Sequence, residues 1–457
     1  MTAAPIREKD RSAILSALGA GVVPAVGLHH LQVGRKAEVN AILGDLQQAE
    51  LGGAGVRFVV GQFGAGKSFF LNLVQTVALE RKFIVARADI TTERRLQGSG
   101  GQARSLFAEL TKNVATRSRP EGGALGSVVE RWISDLAHEI KSRGGSDGEV
   151  QECVLDRLKP LKELVAGYDF AQVLATYYRG HAENKPDLQA AAIRWLRGEY
   201  TTKTEARNDL GVRSIVDDDS LYDSIKLLAA FFRIAGFKGL LVCLDELVVL
   251  SHRLNNRQAR DRNYEAVLRI VNDCLQGSVE GILFLFAATD DCLTDRRRGL
   301  FSYEALATRL ATNRFAADGL VDMSGPVIKL ASLTPEDCFV LLHNIRRVHA
   351  RGQNEDALLP EEAIVAYLDS CNRRMGAAYF QTPRETVKDF VGLLNVLEQN
   401  PSADWRQLVG QLTTAASREE PPIEDQGGTA AGPLTGIVKP VKPDRPSSDD
   451  DLVSFKM

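Results

Sequence analysis

A parallel α/β sheet is the fold class that three features of the chain predict. The first is a strand-like run, Val56 to Val60, that enters Gly61-Gln62-Phe63-Gly64-Ala65-Gly66-Lys67-Ser68 and leaves it as a helix through Phe69-Phe70-Leu71. The second is Leu240 to Leu244, unbroken apolar residues followed by Asp245-Glu246, which suits a strand buried on both faces. The third is Ile282 to Ala288, a similar run ending in Thr289-Asp290. Because the first feature reads G-x-x-x-x-G-K-S between a strand and a helix, the class narrows to a P-loop NTPase.

The chain has 457 residues, room for two or three domains of roughly 100–200 residues each. Its 56 basic and 59 acidic residues leave a formal charge of −3, so no global basic surface draws it to nucleic acid, and DNA contact would need a local patch. Six cysteines are scattered without C-x-x-C or His/Cys clustering, which favours thiols as small apolar fillers in a reducing compartment over disulfides or zinc. The charged N-terminus lacks a signal core and no window reaches a membrane span. A cytoplasmic protein with no membrane partner is expected.

Taken in order, Arg7 to Leu18 is an amphipathic helix with Ile14, Leu15 and Leu18 on one face, ended by Gly19, Gly21 and Pro24. Leu31-Gln32-Val33-Gly34-Arg35 precedes a helix with Val39, Ile42, Leu43 and Leu46 at core spacing. In many ATPases of the AAA+ and STAND superclass a similar apolar–Gly–Arg element covers the adenine base, a role open to Val33, Gly34 and Arg35; the alternative is a turn into a surface helix. In the phosphate loop, Gly61, Gly64 and Gly66 allow consecutive N–H groups to face phosphate oxygens, with Gln62, Phe63 and Ala65 completing the cradle. Lys67 reaches the β- and γ-phosphates and Ser68 sits on magnesium, while Phe69 opens a helix whose dipole favours the anion. ATP and Mg2+ are the expected ligands.

Phe83 to Ala88 is a second strand, closing with Asp89. The polar segment after it carries Arg94 and Arg95, which face either nucleotide, a neighbour or solvent. From about Ser118 to Tyr222 the content is helical, far more than a connection between adjacent strands requires, so a large helical insertion is expected. Its end, Arg194 to Lys203, mixes bases with aromatics; it reads as a nucleic-acid or partner contact, or as an amphipathic helix and its cap.

Asp245 would hold magnesium and Glu246 would polarise the attacking water. Thr289, with Asp290 next, is the candidate polar sensor on the strand between the first strand and the Asp-Glu strand. Arg309 and Arg314 precede the next strand, Pro326 to Leu330, where AAA+ proteins place an arginine for a neighbour's γ-phosphate; an internal salt bridge is the alternative. Thr334-Pro335-Glu336-Asp337 is a helix start, with Thr334 as cap and Pro335 at the first helical position. A second start at Gln381-Thr382-Pro383-Arg384 opens a helical lid whose Arg384 reaches back to nucleotide. Beyond about Thr413 the composition turns Pro-, Gly-, Ser- and acid-rich, reading as a disordered tail; its Asp449 to Phe455 tip is either a partner-docking segment or without a role.

The chain resembles the BREX-type ATP-binding proteins (BrxD-like), P-loop ATPases of phage-defence islands related to origin-recognition and STAND AAA+ ATPases. The resemblance rests on Gly27 to Arg35, the phosphate loop, Trp195 to Arg207, Gly239 to Glu246, Arg298-Gly299-Leu300-Phe301-Ser302-Tyr303-Glu304-Ala305-Leu306, Leu330 to Asp337 and Thr382-Pro383-Arg384. It implies an AAA+/ASCE-type parallel sheet with a large helical insertion and a C-terminal helical lid. The expected division is 1–117 (N-terminal helix and first half of the ATPase core), 118–222 (insertion), 223–332 (second half of the core), 333–412 (lid) and 413–457 (tail). It also implies an ATP-hydrolysing switch or motor subunit acting on DNA with helicase-like or methyltransferase-like partners, and a homo-oligomer is compatible with it. The alternative is a nucleotide-gated scaffold with little turnover. Origin-recognition relatives carry a winged helix after the lid; only the polar tail follows here, so DNA contact is expected to be indirect or to come from the insertion.

Overall fold

β-branched and aromatic residues set the strands, and the described part of the chain gathers them into one sheet. The protein is known from a computed structural model describing residues 6–24, 26–313, 315, 322–331, 333–352, 355–375 and 383–415. Arg314, Thr382 and the tail from 416 onward lie outside the described residues. Strands β1 (Ala54–Val60), β2 (Ile84–Asp89), β3 (Leu240–Asp245), β4 (Ile282–Ala288) and β5 (Val327–Lys329) pair in the order β2-β3-β4-β1-β5, all parallel. This five-stranded parallel sheet is consistent with a P-loop NTPase. Parallel pairing brings the carboxyl ends to one edge, with Val60 opposite Ala288 and Asp89 opposite Asp245.

Helices α1 (Glu8–Gly19), α2 (Lys36–Glu50), α3 (Lys67–Glu80) and α4 (Gln102–Lys112) flank the first two strands. On one face Val59, Val85, Leu241 and Leu285 pack with Ile42 and Leu46 of α2 and Phe70 and Val74 of α3. One charge interrupts β1. Arg57 is buried and forks onto Asp45 of α2 (Nε–Oδ2 2.6 Å, Nη2–Oδ1 2.7 Å), while Nη1 donates to the carbonyls of Met323 (2.8 Å) and Gly325. It thus ties α2, β1 and the chain entering β5. Removing one partner of a buried pair costs about 3–5 kcal/mol, since the remaining charge stays desolvated. Asp45→Ala is expected near the low end, because two carbonyls still accept from Arg57. Denaturant unfolding checks this, and a loss below about 1 kcal/mol would mean that water screens the pair.

Between β2 and β3 run α5 (Leu125–Lys141), α6 (Asp147–Arg157), α7 (Gly167–Ala182), α8 (Pro186–Leu196) and α9 (Lys203–Leu210); α10 (Leu221–Ile234) then returns to the sheet. These helices share one apolar cluster with the second sheet face, including Phe58, Phe284 and Phe286. Trp132 and Phe170 each meet Phe231 of α10 at 5.4 Å between ring centroids. The helical segment therefore enlarges the sheet's own core and builds no separate one. Its basic–aromatic end is spent internally: Trp195 and Tyr200 are buried, Nε1 of Trp195 donates to the Ser214 carbonyl (2.7 Å), and Arg194 pairs with Glu205 (2.9 Å) over the Tyr200 ring. Of the two readings of Arg194 to Lys203, the geometry takes the capped helix.

After β3 come α11 (Arg257–Gln276), α12 (Asp290–Thr294) and α13 (Glu304–Arg309), and after β5 the helices α14 (Pro335–His349), α15 (Glu355–Leu358), α16 (Glu361–Met375), α17 (Pro383–Gln399) and α18 (Trp405–Ala415). Thr334 caps α14 as expected, with its hydroxyl accepting the Asp337 amide (3.1 Å) and the Asp337 carboxylate returning to Thr334 N–H (3.2 Å). Helix α18 extends to Ala415, past the expected start of the tail.

One pairing departs from the expected division. Helix α1, grouped by sequence with the ATPase core, buries Ile14 and Leu15 among Ile345, Phe390 and Leu394 of the C-terminal helices. Arg11 reinforces it, donating to the His349 carbonyl (2.7 Å) and to Glu398 (2.8 Å). An amphipathic pattern fixes which face of α1 is apolar but not which element covers it.

The six cysteines are unbonded and five are buried; burial pushes the Cys243, Cys274 and Cys292 thiols up to about 12. Among the described residues no helix is long and apolar enough to cross a membrane.

Candidate functional site

The phosphate loop follows β1 directly, and its backbone carries the conformational demand at two glycines. Gly64 (φ 81°) and Gly66 (φ 88°) are left-handed, whereas Gly61 is not. Gly61 instead needs closeness: a Cβ there would lie 3.3 Å from the Ala65 methyl. Helix α3 begins at Lys67, so its free N–H groups and dipole point into the loop. Lys67 Nζ donates to the carbonyls of Gly61 and Gln62, both at 2.8 Å. Burial lowers its pKa, and the charges of Asp245, Glu246 and Asp290 oppose that shift.

Across the sheet edge Asp245 accepts from the Ser68 hydroxyl through Oδ2 (3.0 Å) and from the Glu246 amide through Oδ1 (2.8 Å). Glu246 is a non-glycine residue at φ 58°, a strained backbone position of the kind that clusters at functional sites. Ser68, Lys67, Asp245 and Glu246 all open into one cavity of about 710 Å³. Hydroxyl and carboxylate oxygens in contact are the donor chemistry of a hard dication, so Ser68 and Asp245 fit magnesium.

The cavity continues away from the loop between the chain before α2 and the C-terminal helices. Val33 and Arg35 line it, as do Phe63, Ala65 and Phe69. Gly34 lies behind them, where a Cβ would meet the Asp337 carboxylate at 3.3 Å. Gly34 (φ 61°) and Arg35 (φ 59°) are consecutive left-handed residues, a tight reversal that sets Arg35 against the Ala65 carbonyl (3.4 Å) and Glu38 (3.4 Å). Arg384, on the first turn of α17, lines the same cavity; its guanidinium sits 5.7 Å from the Phe63 ring centroid and donates to the Gly21 carbonyl.

Other expected residues are placed elsewhere. The Thr289 hydroxyl accepts the Cys292 amide (3.2 Å) and caps α12; its neighbour Asp290 lines a smaller cavity behind the loop with Gln62 and Lys329. Arg309 is held by Asn272 and the Ala305 carbonyl (3.0 Å), outside the main cavity. Arg314 lies outside the described residues. Arg94 pairs with Glu109 of α4 (3.2 Å), and the loop carrying Arg94 and Arg95 is clamped by Asn263, which bonds both backbone groups of Gln97.

Two residues in the cavity had no role assigned from sequence. Asp89 ends β2 in register with Asp245, and loss of bulk water, then the Asp245 charge, raises its pKa. Arg87, one pleat earlier, bonds the Asn72 amide oxygen on α3 (3.1 Å). The available signal was their position at a strand's carboxyl end, where such sheets place ligands.

A comparison with curated proteins finds no match. The family described as BREX system ATP-binding protein BrxC/D matches residues 6–413, a span that includes the loop, the acidic pair and the C-terminal helices around the cavity. The chain therefore belongs to the BREX system ATP-binding protein BrxC/D family, ATP-binding components of a phage-defence system.

Proposed function

We propose that the protein is an AAA+-like ATPase, a switch or motor subunit that hydrolyses ATP and works on DNA with partner proteins of the same defence system. One observation carries the reading: Asp245 is bonded to Ser68 of the phosphate loop while Glu246 opens into the same cavity beside Lys67. Ser68 and Asp245 would hold magnesium, which would supply charge neutralisation to the phosphates. Lys67 exchanges its two loop carbonyls for phosphate oxygens. Glu246 accepts a proton from water as the water oxygen bonds to the γ-phosphorus; the bond from that phosphorus to the bridging oxygen breaks, and ADP leaves with the bond's electron pair. Val33 and Arg35 hold the base side of ATP, and Arg384 brings the C-terminal helices, acting as a lid, to the phosphates. β4 lies between β1 and β3, which supports a sensor at its end. Asp290 is the stronger candidate there, because the Thr289 hydroxyl is occupied by its cap. Arg309 or Arg314 would act on a neighbouring copy in an oligomer.

The test is steady-state phosphate release with and without DNA and a helicase-like partner. Turnover that rises with either supports the motor or switch reading. Tight ATP binding without turnover under any condition would replace it with a nucleotide-gated scaffold. ATP at a hundred times its dissociation constant stabilises the bound conformation by about 2.7 kcal/mol, enough to gate a complex without hydrolysis.

A further inference from the structure

The stretch Arg298 to Leu306 is a distinctive part of the sequence that the nucleotide cavity does not use. It follows β4 and α12 and is entered through the turn Asp295-Arg296-Arg297-Arg298-Gly299. This turn is pinned from three sides. The Asp295 carboxylate accepts the amides of Arg297 (2.7 Å) and Arg298 (3.3 Å), and the Tyr264 hydroxyl of α11 donates to the Arg298 carbonyl. Gly299 is pressed onto the end of α12, where a Cβ would meet the carbonyls of Asp295, Cys292 and Asp291 at 2.7, 2.8 and 2.9 Å. The backbone is held on these sides, yet Arg296 and Arg297 are exposed and make no ion pair among the described residues.

A further arginine lies on the loop leaving β3, the strand next to β4. After Glu246 the chain forms a single π-helical turn, Val249–Arg253, a geometry frequent at functional sites. Its His252 Nε2 lies 3.5 Å from Asp295 Oδ2, which joins this turn to the triple-arginine turn; the next residue, Arg253, is exposed and makes no ion pair among the described residues. The acids nearby are Asp295, committed to this turn, Asp261, 3.6 Å from Arg257, and exposed Asp291. Arginines fixed on a stiff backbone with no internal partner suit phosphate oxygens, which they bind in a planar fork at little ordering cost.

We propose that the turn of Arg296 and Arg297, with Arg253 on the loop that adjoins it through His252, binds the sugar–phosphate backbone of nucleic acid. It rests on the reading that the protein works on DNA, and it locates that contact on the loops leaving β3 and β4. Those loops start at Glu246 and Asp290, so a bound backbone would press on the segments that carry the hydrolytic groups.

The experiment is fluorescence anisotropy of a short labelled DNA duplex with the full chain and ATP, between about 50 and 200 mM salt. Arg296→Glu/Arg297→Glu is expected to weaken binding at least about tenfold and to reduce the log–log salt slope by roughly 2, one per lost phosphate contact. Arg296→Gln/Arg297→Gln should give a smaller loss with an unchanged melting curve, which separates lost charge from misfolding. Lys141→Glu/Arg143→Glu, on the helical segment between β2 and β3, should bind as wild type. Duplex binding that the loop variants leave intact, or that only the Lys141/Arg143 variant loses, overturns the proposal. So does a wild type that ignores duplex but binds polyglutamate, which would assign the surface to an acidic protein. Basal phosphate release without DNA is measured on the same samples: its absence removes the hydrolysis reading alone, while the anisotropy still decides the contact.

Discussion

Glu246→Gln is expected to lower steady-state ATP turnover by about 10²–10⁴-fold, the range a positioned general base supplies, while ATP binding stays near wild type. The substitution keeps side-chain length and leaves the Glu246 amide on Asp245 Oδ1 (2.8 Å), so the strained turn and the Ser68–Asp245 contact are retained. What it removes is the ability to accept a proton from water at the cavity. Phosphate release together with filter-bound ATP checks both halves, and the variant should accumulate bound ATP. Unchanged turnover would sink the assignment. The carboxylate to test next would then be Asp89, which ends the neighbouring strand in register with Asp245.

Lys67→Ala is expected to weaken ATP binding by about 10²–10⁴-fold. Charge-assisted hydrogen bonds contribute about 1.5–3 kcal/mol each, and Lys67 now makes two to loop carbonyls that phosphate oxygens would replace. Folding should survive, since α3 is anchored by Phe70, Leu71, Leu73 and Val74 and not by the lysine. Isothermal titration with ATP gives the dissociation constant. A change below tenfold, about 1.4 kcal/mol, would show that the loop amides bind the phosphates without it.

How much of the site could be read in advance depended on separation along the chain. Gly61 to Ser68 is contiguous, so spacing in sequence is spacing around a phosphate; the loop needed only its flanking strand and helix to be recognised. Asp245 and Glu246 are legible because an unbroken apolar run has few uses other than a buried strand. Arg384 was legible as the first-turn residue of a helix after the last strand, and it lines the cavity against Phe63. Thr289 was chosen over Asp290 by position, and the hydroxyl is occupied by a local cap. Arg57 was overlooked as a buried charge because the residues around it are apolar, and its partners, Asp45 and two carbonyls, lie far away in the chain.

The amino-acid sequence by itself determined the phosphate loop, the acidic strand end, the parallel α/β class and the family. Each follows from residues adjacent in the chain or from the burial pattern of one element. Only the tertiary structure decided that Asp89 stands beside Asp245, that α1 packs with the C-terminal helices, that Arg194 and Trp195 are partnered internally, and that His252 meets Asp295 of the arginine turn. These depend on which strands pair and which apolar faces meet. Hydrophobic attraction and charge are blind to chain separation, so they leave no local signature in the sequence.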